Sequence, residues 1–176
     1  TVCAGSSVDI TIQNSESDVT YQLREDGPNT VYSSVYAGNG GNLIIPSNAL
    51  TSSLTLEVVA VYPAGTCTVD LAGQESITVN PVPTAPSVTP VGPVTTCEGS
   101  ASVILTSDAA SGNQWYKDGV LIPLATGTTY SVSTVLGSTG DYTVFETQLG
   151  CTSPESNSVS VTVGPTPQFT NLPDVA

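Results

Sequence analysis

Apolar and polar residues alternate in short runs along this chain. Near the amino terminus Val8, Ile10 and Ile12 alternate with Asp9 and Thr11. A spacing of two places such apolar residues on one face of a β-strand. No stretch carries apolar residues at the spacing of an amphipathic helix, so the pattern predicts an all-β protein.

The second half of the chain contains seven such runs, separated by turn-forming Gly, Pro, Asn and Ser residues. The predicted strands cover residues 87–89, 102–107, 113–117, 120–122, 129–133, 141–147 and 158–163. Seven short strands with frequent turns are typical of an immunoglobulin-like β-sandwich. Trp115 is then the core tryptophan of the third strand, and Tyr142 resembles a tyrosine corner. Val144 stands where antibody domains have a cysteine, so we expect no disulfide between the sheets.

The chain repeats one pattern twice. Cys3-Ala-Gly-Ser and Cys97-Glu-Gly-Ser each precede a predicted strand, and 18 residues after each cysteine comes an aromatic residue, Tyr21 or Trp115. A repeat of this length indicates two copies of one structural unit. We therefore expect two tandem immunoglobulin-like β-sandwich domains, module one (residues 1–82) and module two (residues 83–164).

The four cysteines fit the same repeat. A second cysteine precedes the last predicted strand of each module, Cys67 in module one and Cys151 in module two. With no histidine and no closely spaced cysteine pair, zinc binding is disfavoured, and disulfides in an oxidising compartment are favoured. Of the three possible connectivities, the repeat predicts Cys3–Cys67 and Cys97–Cys151, one disulfide in each module.

The proline-rich segments after the two modules resemble each other. The segment 165–176 reads like the linker 80–96, and joining residue 176 to residue 1 regenerates the linker text. We expect the 176 residues to form one period of a longer array, with 165–176 as a linker or the first strand of the next repeat. Either successive units are covalently in tandem, or Pro167, Phe169, Leu172 and Val175 supply an inter-unit strand to a neighbouring subunit.

The modules resemble the immunoglobulin-like and PKD-like repeats of giant secreted surface proteins of Bacteroidetes-type bacteria. The resemblance rests on Cys-x-Gly-Ser, Trp-Tyr-Lys-Asp-Gly, Gly-x-Tyr-Thr-Val and a final Val-x-Val-x-Val in module two, and on the variant Tyr-Gln-Leu-Arg-Glu-Asp-Gly in module one. It implies export to the cell surface and a role in adhesion, gliding or surface fibres.

The charge of the chain restricts its partners. There are 15 acidic and two basic residues, a net charge of −13. Such a chain repels nucleic acid and anionic membranes. No run of apolar residues is long enough to span a bilayer, so we expect no membrane insertion.

Candidate chemistry is sparse, and we expect neither an enzyme nor a bound cofactor. Histidine, the usual general base, is absent, and the four cysteines are assigned to disulfides. Glu25, Asp26, Asp108 and Asp118 could act as a carboxylate pair in glycoside hydrolysis, but all four fall in predicted turns. No Asp-x-Asp-x-Asp-Gly run supports a calcium site, and no metal ligands are assigned.

Three functions remain. The favoured one is a structural repeat of an extracellular fibre or adhesin at the cell surface, with neighbouring copies as partners. The alternatives are a carbohydrate-binding adhesin module and an accessory module of an exported polysaccharide-degrading enzyme. Tyr32 and Tyr36 could stack on a sugar if they are exposed together, although such tyrosines more often cover a sandwich edge.

Overall fold

The computed structural model describes residues 1–62 and 67–167. The chain forms two compact units, Thr1–Val82 and Pro83–Ala176, which contain module one and module two. Nearly all regular structure in the described residues is β-strand, and the units resemble immunoglobulin-like sandwiches. The predicted all-β fold is confirmed. None of the helices in the described residues has the length and apolar character needed to cross a membrane.

Within its described residues, 1–62 and 67–82, module one contains eight strands. They are β1 (Val2–Cys3), β2 (Asp9–Ile12), β3 (Thr20–Glu25), β4 (Tyr36–Ala37), β5 (Leu43–Pro46), β6 (Leu54–Val61), β7 (Thr68–Ile77) and β8 (Val79–Asn80). One sheet has the order β4-β3-β6-β7, and β2 and β5 form the facing antiparallel pair. The short strands β1 and β8 pair in parallel.

The core of module one follows the alternation of its strands. On β3, Tyr21 and Leu23 are buried while their neighbours are partly exposed. Leu56 on β6 and Ile45 on β5 complete the contact between the two sheets. The strand β6 is unusual because its middle five residues are all buried, which means that both of its faces are covered there.

Module two contains nine strands and a short 3-10 turn at Leu136–Ser138. The strands are β9 (Val88–Thr89), β10 (Val94–Cys97), β11 (Val103–Ser107), β12 (Asn113–Lys117), β13 (Val120–Leu121), β14 (Thr129–Val132), β15 (Gly140–Gln148), β16 (Cys151–Thr152) and β17 (Val159–Gly164). One sheet has the order β10-β17-β15-β12-β13, with β16 paired to β15. The other has the order β14-β11-β9.

Trp115 is the centre of the module two core. It is 0% exposed on β12, its indole Nε1 donates a hydrogen bond of 2.9 Å to the Gly127 carbonyl, and its ring stacks on Tyr130 at 5.9 Å. Leu105 and Val144 are also 0% exposed. These two apolar side chains occupy the positions at which antibody domains carry a disulfide between the sheets.

Tyr142 forms a tyrosine corner. Its hydroxyl donates a hydrogen bond of 2.7 Å to the Ser138 carbonyl, four residues upstream, and the side chain is 2% exposed. Burial, with smaller contributions from Tyr130 and Asp118, raises the pKa of Tyr142 to about 12. The neutral phenol therefore ties the turn before β15 to the core.

Replacing this hydroxyl tests the corner. The substitution Tyr142→Phe is expected to lower the free energy of unfolding of module two by about 1 kcal/mol, because it leaves the Ser138 carbonyl without its donor. Because the folded-state pKa is raised, the hydroxyl contributes full stability below pH ~10 and loses it as pH rises toward about 12. Urea titrations at several pH values, from neutral to alkaline, measure the free energy of unfolding. This free energy should fall with rising pH in the natural chain and should fall less in the variant. Tyr116→Phe, which lies next to Trp115 on the opposite face of β12, is the control, and equal losses in both variants would contradict the corner.

The predicted disulfides Cys3–Cys67 and Cys97–Cys151 are wrong in this structure. Cys3 and Cys151 are disulfide-bonded, whereas Cys67 and Cys97 are exposed free thiols. The reason is strand length. A disulfide needs Cα atoms within about 7 Å, but the ten-residue strand β7 separates Cys67 from Asn80, the residue that pairs with Cys3. At about 3.3 Å per residue, this distance is roughly 30 Å.

The same argument holds within module two. Cys151 pairs with Gln148 at one end of β15. Cys97 pairs with Gly164, which lies beyond the opposite end of the same strand. The nine residues of β15 alone hold the two thiols roughly 30 Å apart. The two cysteines of each module therefore lie at opposite ends of that module.

Candidate functional site

The four acidic residues proposed as catalytic candidates are divided between the two modules and lie at the ends of strands. Glu25 ends β3 and Asp26 follows it in module one, while Asp108 and Asp118 follow β11 and β12 in module two. Asp108 accepts a hydrogen bond of 2.7 Å from the Ser87 amide. No convergent carboxylate pair is formed by these four side chains within either module.

Asp118 shows most clearly what these carboxylates do. Its Oδ1 accepts a hydrogen bond of 2.8 Å from the Asp141 amide, and its Oδ2 lies 3.3 Å from the Lys117 ammonium. The amide hydrogen bond, and then Lys117, lower the pKa of Asp118. The side chain thus closes a turn as a charged carboxylate, which is the opposite of the raised pKa that a general acid needs.

No metal centre is visible in residues 1–62 and 67–167. No group of three or more Asp, Glu, Cys or His side chains there is arranged to hold an ion. Like Glu146 on β15, Glu57 on β6 is buried, 8% exposed. Its own burial, followed by the negative charge of Asp70, raises its pKa.

The aromatic side chains do not form a flat sugar platform in the places proposed from sequence. Tyr32 and Tyr36 are partly buried and pack against the module one core. A pair that the sequence did not single out, Tyr116 and Phe145, lies outside the module two core with ring centroids 5.1 Å apart. The two rings meet edge to face, so they do not present one continuous stacking surface.

Within its described residues, module one has an open edge on its smaller sheet. The strand β2 pairs with β5 through Ile10↔Ile45 and the adjoining positions, and within the described residues its other edge carries no strand. A cleft of about 630 Å³ lies there, between β2 and β7. Its apolar lining consists of Val8, Ile10, Ile12, Val58, Leu71 and Ile77.

The equivalent edge of module two is closed. There β9 pairs antiparallel with β11 through Val88↔Ser107 and Thr89↔Thr106. Val88 is 0% exposed and belongs to the core, and Asn157 binds its amide and carbonyl at 2.7 and 3.0 Å. Leu105 of β11 is consequently fully buried, whereas the corresponding Ile10 of β2 is only partly buried. The cleft of module one is the space that a side chain like Val88 fills in module two.

The arrangement of module two agrees with the comparison against known families. Residues 83–165 match the family model described as "Ig-like domain CHU_C associated". Module two is an immunoglobulin-like domain. The resemblance predicted from the sequence is thereby confirmed, and module two carries the match. Among curated proteins, no sequence matches this chain.

Several solved structures are similar to this chain. A marsupial T cell receptor is 12% identical, with a TM-score of 0.57 over 96% of this chain and 71% of the receptor chain. The fibronectin(III)-like modules of Clostridium thermocellum CbhA are 16% identical, with a TM-score of 0.45 over 93% and 89% of the two chains. Titin domains z1z2 in complex with telethonin are 19% identical, with a TM-score of 0.35 over 95% and 92%. Of these three, the receptor alone has a TM-score above 0.5, and this similarity supports the immunoglobulin-like fold.

Module one has the same sheet plan as the immunoglobulin-like domain. Its sheet β4-β3-β6-β7 corresponds to β13-β12-β15-β17, and its pair β2-β5 corresponds to β11-β14. It lies outside the family match. Tyr21 occupies the position of Trp115 on the corresponding strand, and its hydroxyl accepts a hydrogen bond of 2.9 Å from the Glu16 amide.

The residues proposed as an inter-unit strand lie at the end of the chain. Pro167 follows β17 after two further residues, and Thr166 beside it donates a hydrogen bond of 2.9 Å to the Glu98 carbonyl. Phe169, Leu172 and Val175 lie outside the described residues. The candidate acceptor for such a strand is the open edge of β2.

Proposed function

We propose that the chain is a structural repeat of an extracellular bacterial surface fibre or adhesin, and that its copies assemble end to end. The immunoglobulin-like fold supports a structural role, and a disulfide supports an oxidising, extracellular compartment. The acidic composition suits a soluble, exposed protein. In this reading the protein is not an enzyme, and its function resides in length, stiffness and contact between units.

The open edge of β2 is the observation that carries the proposal. An unpaired strand edge beside an apolar cleft is an aggregation hazard that natural proteins cover. In module two the covering strand β9 lies within the proline-rich segment 80–96, ahead of the other strands of the module. By equivalence, the strand that covers module one comes from a linker that precedes it.

The segment 165–176 of the preceding copy fits this role. Its Pro-Thr-Pro start matches Pro83-Thr84 of the internal linker, and Phe169-Thr170 resembles Val88-Thr89 of β9. A phenylalanine is large enough to fill a cleft of about 630 Å³ more fully than valine does. The copies are then joined either covalently in tandem or by strand addition between chains, and both use the same acceptor edge.

The proposal predicts that module one is stabilised by the missing strand. We expect that placing the sequence of residues 165–176 before Thr1 raises the melting temperature of module one by roughly 10 °C. Burial of one large apolar side chain is worth about 2 kcal/mol, and each kcal/mol shifts a domain of this size by about 4–8 °C. Calorimetry of the extended and original chains measures the shift, with the module two transition as internal reference. Hydrogen exchange should show new protection of the β2 amides.

The matched control carries the same extension with the residues copied from Phe169 and Val175 replaced by Asp. It has equal length but cannot bury its side chains, so we expect neither the stabilisation nor the protection of β2. If the natural extension leaves both readouts unchanged, or the Asp extension stabilises module one equally, assembly through the β2 edge is ruled out.

A further inference from the structure

The outer face of the larger sheet of module two carries a pair of aromatic side chains. Trp115 of β12 and Val144 of β15 belong to the core, so the next residues, Tyr116 and Phe145, lie on the opposite face of the sheet. Their ring centroids are 5.1 Å apart, with 70° between the ring planes. Both side chains are only partly buried. The two rings therefore form two walls that meet at an angle and are open to solvent.

The rings rest on the sheet. Tyr142 and Val144 belong to the core, so the side chain of Thr143 between them lies on the outer face, yet it is only 8% exposed. Thr143 is paired with Tyr116 across the sheet, and Phe145 is its next neighbour on the same face of β15. These two rings account for the burial of Thr143, and the contact restricts their movement.

A cavity of about 360 Å³ lies against the two rings. Its other lining residues are Gly119, Thr152 and Glu155. Pockets for small molecules span roughly 300–1,000 Å³, so this cavity has room for one small group. We call it the aromatic cavity.

Serine side chains fix the wall that contains Glu155. The hydroxyl oxygens of Ser153 and Ser156 accept hydrogen bonds of 3.0 and 2.9 Å from the amides of Glu146 and Val144. The amides of the same two serines donate bonds of 2.8 and 3.1 Å to the carbonyls of the same two residues. Glu155 lies between the serines, so its backbone is held along β15. A preformed wall reduces the ordering cost of binding.

The charge around the aromatic cavity favours a cation. Glu155 is exposed, and within the described residues no basic side chain is paired with it. Lys117, the one basic residue of module two, lies 3.3 Å from Asp118 Oδ2 and donates a hydrogen bond of 3.3 Å to the Gly137 carbonyl. Its ammonium is therefore engaged elsewhere. The net charge of −13 also repels anions and attracts cations to this surface.

We infer that the aromatic cavity binds an alkylated ammonium ion, a small organic cation of the trimethylammonium class. The faces of aromatic rings attract cations, and a rounded group can contact both walls at once. A flat sugar ring needs one continuous stacking surface, which rings at 70° do not provide. A primary ammonium has three donors that each need an acceptor, and ring faces supply none. An alkylated ammonium packs its methyl groups on the rings and keeps its charge beside Glu155.

Choline is the probe for this site. When the full chain is titrated with choline, we expect saturable changes in the NMR shifts of amides on β12, β15 and residues 152–155. The comparison compound is the neutral carbon analogue of choline, in which a tert-butyl group replaces the trimethylammonium group. It has the same shape without the charge, so we expect it to bind at least about fivefold more weakly, because the attraction between cation and ring is lost.

Substitutions separate the ring, the charge and the fold. Tyr116→Leu and Phe145→Leu each keep an apolar side chain without a ring and should weaken choline binding about fivefold. Tyr116→Phe keeps the ring face and should bind choline as the natural chain does. Glu155→Gln should weaken binding about threefold, an effect that salt reduces. Glu98→Gln removes an exposed charge outside the cavity lining and should leave binding unchanged. The melting temperature of module two shows whether each variant is folded.

Three results would overturn the inference: equal binding of choline and its neutral analogue, no saturable shifts with choline, or choline binding that survives both leucine substitutions. Methyl glucoside, titrated in the same way, should leave these amides unshifted. Shifts caused by the glucoside and not by choline would replace the cation with a carbohydrate. None of these results bears on assembly through the β2 edge, because that edge belongs to module one and is tested there.

Discussion

Replacing Trp115 by alanine is expected to reduce the free energy of unfolding of module two by about 3–5 kcal/mol. The side chain is fully buried on β12, so its removal leaves a cavity that the surrounding β-strands cannot collapse to fill. The substitution also deprives the Gly127 carbonyl of its hydrogen bond and Tyr130 of its stacking partner. A loss of this size is a large share of the 5–15 kcal/mol that stabilises a typical domain.

Calorimetry or urea unfolding followed by circular dichroism measures this loss, and the transition of module one provides an internal reference. Trp115→Phe keeps a ring in the core and should lose markedly less than Trp115→Ala. Tyr116→Ala, one residue away on the opposite face, should cost little, because its side chain is only partly buried. A Trp115→Ala chain as stable as Tyr116→Ala would show that the module does not depend on this core.

Module one should be equally sensitive at Gly38. A Cβ at this position would clash with the Glu16 carbonyl oxygen and would lie 2.8 Å from the carbonyl carbon and 3.0 Å from the Tyr21 ring. The backbone cannot move away freely, because the Gly38 amide donates a hydrogen bond of 2.8 Å to the Val19 carbonyl. We expect Gly38→Ala to cost at least about 2 kcal/mol, since the clash is with backbone rather than with a flexible side chain.

Gly41 provides the matched control in the same loop. A Cβ there would have the Asn39 side chain at 3.6 Å as its nearest neighbour, an ordinary contact. Gly41→Ala should therefore leave the melting temperature of module one nearly unchanged, while Gly38→Ala lowers it. Equal effects of the two substitutions, measured by calorimetry, would mean that the close approach of Gly38 to Glu16 does not exist in solution.

Much of the fold could be predicted from the alternation of residues. The run 113–117 coincides with β12, and the other predicted strands of module two differ from the structure by one or two residues at their ends. Such runs are predictable because each strand has one face in the core. The strand β10, Val94–Cys97, was not predicted, because its prolines at 90 and 93 and its two threonines read as linker. Its pairing with β17 comes from tertiary contact rather than local preference.

The cysteine pairing could not be predicted from the repeat alone. The repeat identifies which cysteines are equivalent, and that equivalence is retained in the structure. The repeat does not say at which end of its module each cysteine lies. The number of residues in the strand after Cys67 would have revealed this, since a ten-residue strand spans roughly 30 Å and cannot be bridged by a bond that needs Cα atoms within about 7 Å. The open edge of β2 was predictable only by comparing the two copies.

The parallel pairing of the terminal strands determines how a module carries a mechanical load. In module two β10 lies beside β17, the strand through which the chain leaves, and a pull along the strands slides one past the other. All four residue pairs from Val94↔Val161 to Cys97↔Gly164 then resist together, rather than opening one at a time as in a zipper. Module one has two such pairs, Val2↔Val79 and Cys3↔Asn80. At the same pulling force, each of its pairs bears twice the load.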